Sequence, residues 1–192
     1  MTIEQNRAAM RVPRADARRN RDAILRAAQE VFQTDGVLAS LDGIALRAGV
    51  GNATLYRNFP AREDLLAAVM TSDLDEAIEK SRTLGDIPPR QALSEWLVWL
   101  SWRLRIWHDL PQCIAQARDE QGSSLGPTVS LLEDMTGALL ARAQAAGVAV
   151  ASVGARDVFE LATALSWAID RFRDKEDAAR TRVEIATAGL FI

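Results

Sequence analysis

Between Asn52 and Arg62 the chain reads N-A-T-L-Y-R-N-F-P-A-R, and the polar members of this run have the chemistry to read duplex DNA. A guanidinium at Arg57 can pair bidentately with a guanine edge, the amide of Asn52 or Asn58 with an adenine edge, and the methyl of Ala53 can meet a thymine methyl. The hydroxyls of Thr54 and Tyr56 suit phosphate oxygens, contacts that fix register without specifying sequence. These groups act together only if one helix presents them. Leu55 and Phe59, four residues apart, supply an inward face, which leaves Ala53 and Arg57 opposite and Asn52, Thr54, Tyr56 and Asn58 on the flanks.

A second short helix is needed to hold such a reader. Leu41, Ile44, Ala45 and Ala48 recur at three- and four-residue steps, and Ser40 stands where an N-cap is wanted. Gly49-Val50-Gly51 then leaves room only for a tight turn, so the two helices are set at a steep angle as a helix-turn-helix. A generic helical hairpin with its polar side in water has the same spacing, and the pattern alone leaves both readings open.

The wider context discriminates. R-D-A-I-L-R-A-A-Q-E-V-F from Arg21, then Gly36, then D-G-I-A-L-R-A-G-V from Asp42, then T-L-Y-R-N-F-P-A-R-E-D-L-L from Thr54, resembles the N-terminal domain of the TetR family of transcriptional regulators. The resemblance implies an all-α homodimer, with a three-helix helix-turn-helix domain on operator DNA followed by a helical ligand-binding and dimerisation domain. By position, the family's DNA-contacting places fall on Ser40, Asn52, Ala53, Thr54, Tyr56, Arg57, Asn58 and Arg62, the last at a spot usually held by Lys. Some residues depart from the pattern. Gly51 replaces a common Ser cap, Gly43 lies inside the preceding helix, and Ala61 replaces a cap at the start of the next, each costing about 1 kcal/mol or less. Asn58 stands where His or Tyr is common.

The 192-residue chain has 48% apolar residues and one cysteine, Cys113, which excludes an intramolecular disulfide and fits a reducing compartment. No run approaches a membrane span and the first residues lack the apolar centre of a signal peptide, so a cytoplasmic, non-membrane protein is expected. The net charge of -3 is unevenly spread: residues 1–62 hold ten Arg against six acids, and the remainder holds thirteen cations against twenty acids. Phosphate attraction is thereby concentrated at one end of the chain.

Residues 1–13 read as a flexible basic tail, residues 14–60 as the helix-turn-helix domain, and residues 61–192 as the effector-binding and dimerisation domain. Arg7, Arg11 and Arg14 give the tail the means to reach a phosphate or a minor groove. The first helix is expected from Arg14 to Asp16 onward, with Gly36 as its C-cap. A long helix follows Pro60 to about Thr83, the natural lever between the two domains.

Four of the five tryptophans fall between Arg90 and His108, at 96, 99, 102 and 107, in a helix apolar over most of its girth and therefore central. Trp96, Trp99 and Trp107 are expected to wall an effector cavity, with Arg103 meeting an anionic or carbonyl group. The plain alternative is a packed core with a snorkelling arginine. Asp134 and Met135, on a later helix from Pro127 to Ala146, are candidates for the same cavity. Lone His108 and Cys113 make neither a metal site nor a nucleophile dyad, since both need further ligands or an orienting partner. No cofactor and no catalytic group is expected.

From Ala155 to Phe172 the chain is again apolar on more than one side. In line with the resemblance, this helix and the last one, Lys175 to Gly189, are expected to form a two-fold four-helix bundle, with Phe159, Leu165, Trp167, Val183 and Leu190 at the interface. The sequence thus predicts a homodimeric repressor, released from a palindromic operator by a small-molecule effector. The alternative is a DNA-bound architectural protein of the same fold whose helical body binds a protein partner.

Overall fold

The computed structural model describes residues 3–119 and 122–192, with side chains described from Asp16 onward except at residues 72–73 and 117–121. Among the described residues the chain is all-helical: α1 (Ile3–Asp35), α2 (Leu41–Arg47), α3 (Asn52–Asn58), α4 (Arg62–Thr83), α5 (Pro89–Leu104), α6 (Leu110–Asp119), α7 (Gly126–Ala145), α8 (Ala155–Arg171) and α9 (Glu176–Thr187). Contacts divide it into two compact units, residues 1–69 and 70–192.

In the first unit, α2 packs on both α1 and α3, and α1 also reaches α3. Ile24, Ala28 and Phe32 of α1, Ile44 and Ala45 of α2, and Leu55 and Phe59 at α3 are buried together with Leu65 and Leu66 of α4. Burying an aliphatic or aromatic side chain of this size is worth about 1.5–3 kcal/mol, so short helices that would be marginal alone are held by their neighbours. Gly36, at φ 90°, ends α1 in the left-handed region where glycine carries no Cβ penalty. The first helix begins at Ile3, well before the expected start near Arg14. Ala, Arg, Gln, Glu and Met dominate this stretch and favour helix, and Pro13 is the one residue that opposes it. The basic groups of Arg7, Arg11 and Arg14 lie outside the described side chains.

The second unit is built around α5, which packs against α7, α8 and α9. Ala92, Leu93, Trp96, Leu97, Leu100 and Leu104 are all buried, as a central helix requires. Its hydroxyl at Ser101 is buried too, and donates to the carbonyl of Ala162 on α8 at 3.1 Å. The helix stops at Leu104 and not at His108. Pro111 cannot donate to the carbonyl a turn earlier, so the chain turns at Trp107 and Asp109, the latter at φ 65°, before α6 begins with the proline in its first turn. Residues 148–154, between α7 and α8, carry a short antiparallel bridge between Ala149 and Phe191.

Candidate nucleic-acid interface and the cleft of the helical unit

The turn between α2 and α3 is closed by backbone bonds, Gly49 N–H to the carbonyl of Leu46 at 3.1 Å and Val50 N–H to that of Ala45 at 3.0 Å. Gly49 adopts φ 69°, a left-handed conformation in which a side chain would be strained. Gly51 caps α3 through its carbonyl alone, which accepts the N–H groups of Thr54 and Leu55 at 2.8 and 3.2 Å. Leu55 and Phe59 anchor one side of α3 in the core. Asn52, Ala53, Tyr56 and Arg57 are exposed on the other side, and Thr54 is half-buried beside them.

The candidate reader residues differ in what they already hold. Arg57, Asn52 and Tyr56 form no side-chain hydrogen bond or ion pair among the described residues, so their polar groups are available to another molecule. Asn58 is half-buried and its Nδ2 donates to the carbonyl of Thr54 at 2.7 Å, which commits that amide to the end of its own helix. Arg62, also half-buried, donates through one guanidinium nitrogen to the carbonyls of Val37 and Ala39 at 2.7 and 2.6 Å. It fastens the loop that leads into α2. Ser40 caps α2, its Oγ accepting the N–H of Gly43 at 3.4 Å. Two further arginines serve the framework: Arg47 pairs with Glu30 at 2.9 Å, and Arg21 lies over the ring of Phe59 at 4.4 Å from its centre. Neither role is signalled by local spacing, because the partners lie on different helices.

In the second unit, a narrow cleft with about 20 Å³ of room, partly open to solvent, is lined by Met70, Leu74 and Ala77 of α4, Trp99, Leu100, Arg103 and Leu104 of α5, Trp107, and Leu132 of α7. It brings together three of the effector candidates, Trp99, Arg103 and Trp107. Trp96 does not line it: the ring is fully buried, stacked on Trp99 with centres 5.4 Å apart, and its Nε1–H donates to the Thr136 hydroxyl at 2.9 Å. Asp134 is exposed and Met135 half-buried on α7, and neither reaches the lining. Arg103 is paired with Glu76 of α4 at 2.8 Å. The walls are otherwise apolar, and at this volume the cleft has room for about one water, so its side chains must move apart before a larger molecule enters.

His108 Nδ1 lies 2.6 Å from Asp170 Oδ2, and an ionised carboxylate can only accept, so this nitrogen carries the proton. Cys113 is buried. Among the described residues no three His, Cys, Asp or Glu side chains group as metal ligands, and no helix is long and apolar enough to cross a membrane.

Of the residues expected at a dimer face, Phe159, Leu165, Val183 and Leu190 are buried within the chain's own second unit, so they are core residues of the chain itself. Trp167 is the exception, 50% exposed. The periodicity identified apolar positions, and packing against α5 took the majority of them. The apolar side chains left outside on α8 and α9 include Leu161, Trp167, Phe172 and Ile185.

Known proteins place this architecture in a family. Residues 24–69 match the bacterial regulatory proteins of the tetR family, and residues 88–191 match the C-terminal domain of SbtR-like transcriptional regulators. The chain belongs to the TetR family of bacterial transcriptional regulators. An HTH-type transcriptional regulator of Staphylococcus aureus (strain USA300) is 38% identical over 74 residues, which is 38% of this chain and 40% of that protein's length. The crystal structure of a TetR transcriptional regulator from Streptomyces coelicolor shares 29% identity over 89% of this chain and 98% of its own, with a TM-score of 0.56. The fold is also similar to that of FadR from Bacillus subtilis, solved in complex with stearoyl-CoA, at 16% identity, with 88% of this chain and 98% of FadR covered and a TM-score of 0.62.

Proposed function

We propose that this protein is a homodimeric repressor that leaves a palindromic operator when a small molecule enters the cleft lined by Trp99, Arg103 and Trp107. The observation that carries the DNA half of this reading is the outer face of α3, where Asn52, Ala53, Tyr56 and Arg57 stand exposed and Arg57 has no internal partner, while Leu55 and Phe59 hold the opposite face rigidly in the core. Arg57 and Asn52 serve as base readers, Thr54, Tyr56 and Ser40 as phosphate contacts. Arg62 acts through the loop it fastens, and Asn58 through the end of α3. Two such heads meet successive major grooves when their half-sites lie about 34–36 Å apart.

The effector half is supported by the cleft's composition, apolar walls around one ion-paired arginine. An effector that binds better to the form with the wrong head spacing lowers operator occupancy by that difference in affinity and by nothing else. The exposed apolar side chains Leu161, Trp167, Phe172 and Ile185 supply candidate contacts for a second protomer. The test is to select bound duplexes from a random pool and then screen small molecules for release. A two-fold symmetric consensus and a releasing compound are expected. A monomer with no preferred duplex at moderate salt refutes the reading.

A further inference from the structure

A second and roomier crevice of the helical unit, about 140 Å³ and partly open to solvent, lies between α5, α9 and the end of α4. Its chemistry is unlike that of the first. Glu95, Trp99 and Trp102 share one face of α5 at helical steps, Glu176 and Arg180 stand a turn apart on α9, and Lys80 comes from α4. Glu95 and Arg180 satisfy each other through two bonds, 2.9 and 3.2 Å. Those bonds hold the Glu95 carboxyl below its ordinary pKa and the Arg180 guanidinium above its own, so both stay charged and cancel.

What remains is one cation and one carboxylate. The charge of Lys80 is felt at Glu95, and that of Glu176 at Arg180 and Arg105, yet neither Lys80 nor Glu176 makes a hydrogen bond or ion pair among the described residues. Both face the same space, and indoles form its walls. The ring of Trp102 is held from one side by the guanidinium of Arg105, 3.2 Å from its centre. A ligand with a single charge would satisfy one of the two free groups and confront the other with a like charge or an uncharged body. A zwitterion satisfies both and leaves the crevice neutral.

We propose that this crevice binds a zwitterion with an aromatic body, such as an aromatic amino acid, its carboxylate on Lys80, its ammonium on Glu176 and its ring against Trp99 and Trp102. The site is separate from the effector cleft, although Trp99 forms a wall of each. Occupancy of the crevice therefore perturbs a residue that the first cleft also uses.

Tryptophan fluorescence of the full chain, titrated in parallel with L-phenylalanine, phenethylamine and 3-phenylpropanoate, tests this directly. Phenylalanine is expected to give a saturable change, and each of the two singly charged probes to bind at least about tenfold more weakly, as when one charge-assisted hydrogen bond is lost. Lys80→Met should erase the preference over phenethylamine, and Glu176→Gln the preference over 3-phenylpropanoate. Both side chains reach solvent, so the variants should fold, and unchanged circular dichroism verifies it. The proposal is overturned if phenylalanine gives no saturable response up to about 1 mM, if a singly charged probe matches it on the unaltered protein, or if either folded variant keeps its full selectivity.

Discussion

Arg57 and Arg62 lie five positions apart and are put to opposite uses, one free in solvent and one clamped on the carbonyls of Val37 and Ala39. Arg57→Ala should therefore lose roughly 1 to 3 kcal/mol of operator binding and relax the choice of base at one position, whereas Tyr56→Phe should weaken all sequences alike. Gel-shift titrations on specific and random duplexes separate the two. Arg62→Met leaves two carbonyls without their donor and should lower the urea stability of the first unit by about 1–3 kcal/mol even without DNA. Glu95 adds a pH dependence. Its native pKa lies below the unfolded value of about 4.3, chiefly because of the bond from Arg180, so the pair's stabilisation is complete above that value and fades as pH falls through the lowered native one. Urea melts of Glu95→Gln should fall short of the unaltered protein at pH 7, by about 1 kcal/mol or less at so exposed a pair, and coincide with it in strong acid.

At the scale of elements, two glycines in helices make a matched pair. A Cβ at Gly43 of α2 would meet only Ser40 Cβ at 3.8 Å, an ordinary contact, while one at Gly137 of α7 would sit 3.0 Å from the Cβ of Ala155, which is fixed to the start of α8. Gly43→Ala should stabilise by about 1 kcal/mol, the helix propensity alone. Gly137→Ala should destabilise by a comparable amount despite the same propensity, because α7 and α8 must move apart to admit the methyl. Thermal unfolding of the two variants shows opposite shifts if this close approach is correctly located. The sequence flagged Gly43 as a departure from pattern and said nothing of Gly137. A glycine needed for space betrays itself only through the residue that fills the space, and Ala155 is distant in the chain.

For the whole molecule, the proposed dimer is the decisive feature, since one head alone offers half of a two-fold site. Trp167→Glu places a charge at the exposed tryptophan of α8 and should yield a folded monomer with strongly reduced operator affinity, as read by sedimentation velocity. Phe159→Ala should instead unfold the chain, at about 3–5 kcal/mol, because that ring is fully buried in the chain's own core. A Trp167→Glu protein that remains dimeric would assign the two-fold contact to another surface. The uneven charge of the chain belongs to this scale too. Attraction to phosphate falls on residues 1–62 and the acidic remainder disfavours other approaches to the duplex.

Local periodicity by itself determined the inward turn of Leu55 and Phe59 and the central position of the tryptophan-rich helix, because each follows from which residues recur on one side of a 3.6-residue repeat, while the run of motifs from Arg21 to Leu66, through the family it resembles, separated a helix-turn-helix in an all-helical chain from a generic hairpin. Only the tertiary structure decided which polar groups are spent internally. Asn58 on its own helix, Arg62 on a loop, Trp96 on Thr136 and Arg103 on Glu76 are choices between partners, three of them far away in the chain. Periodicity marks a residue as apolar or polar but not as buried against its own chain or left for another, and so Phe159 and Trp167 look alike in sequence and lie in opposite environments in the fold.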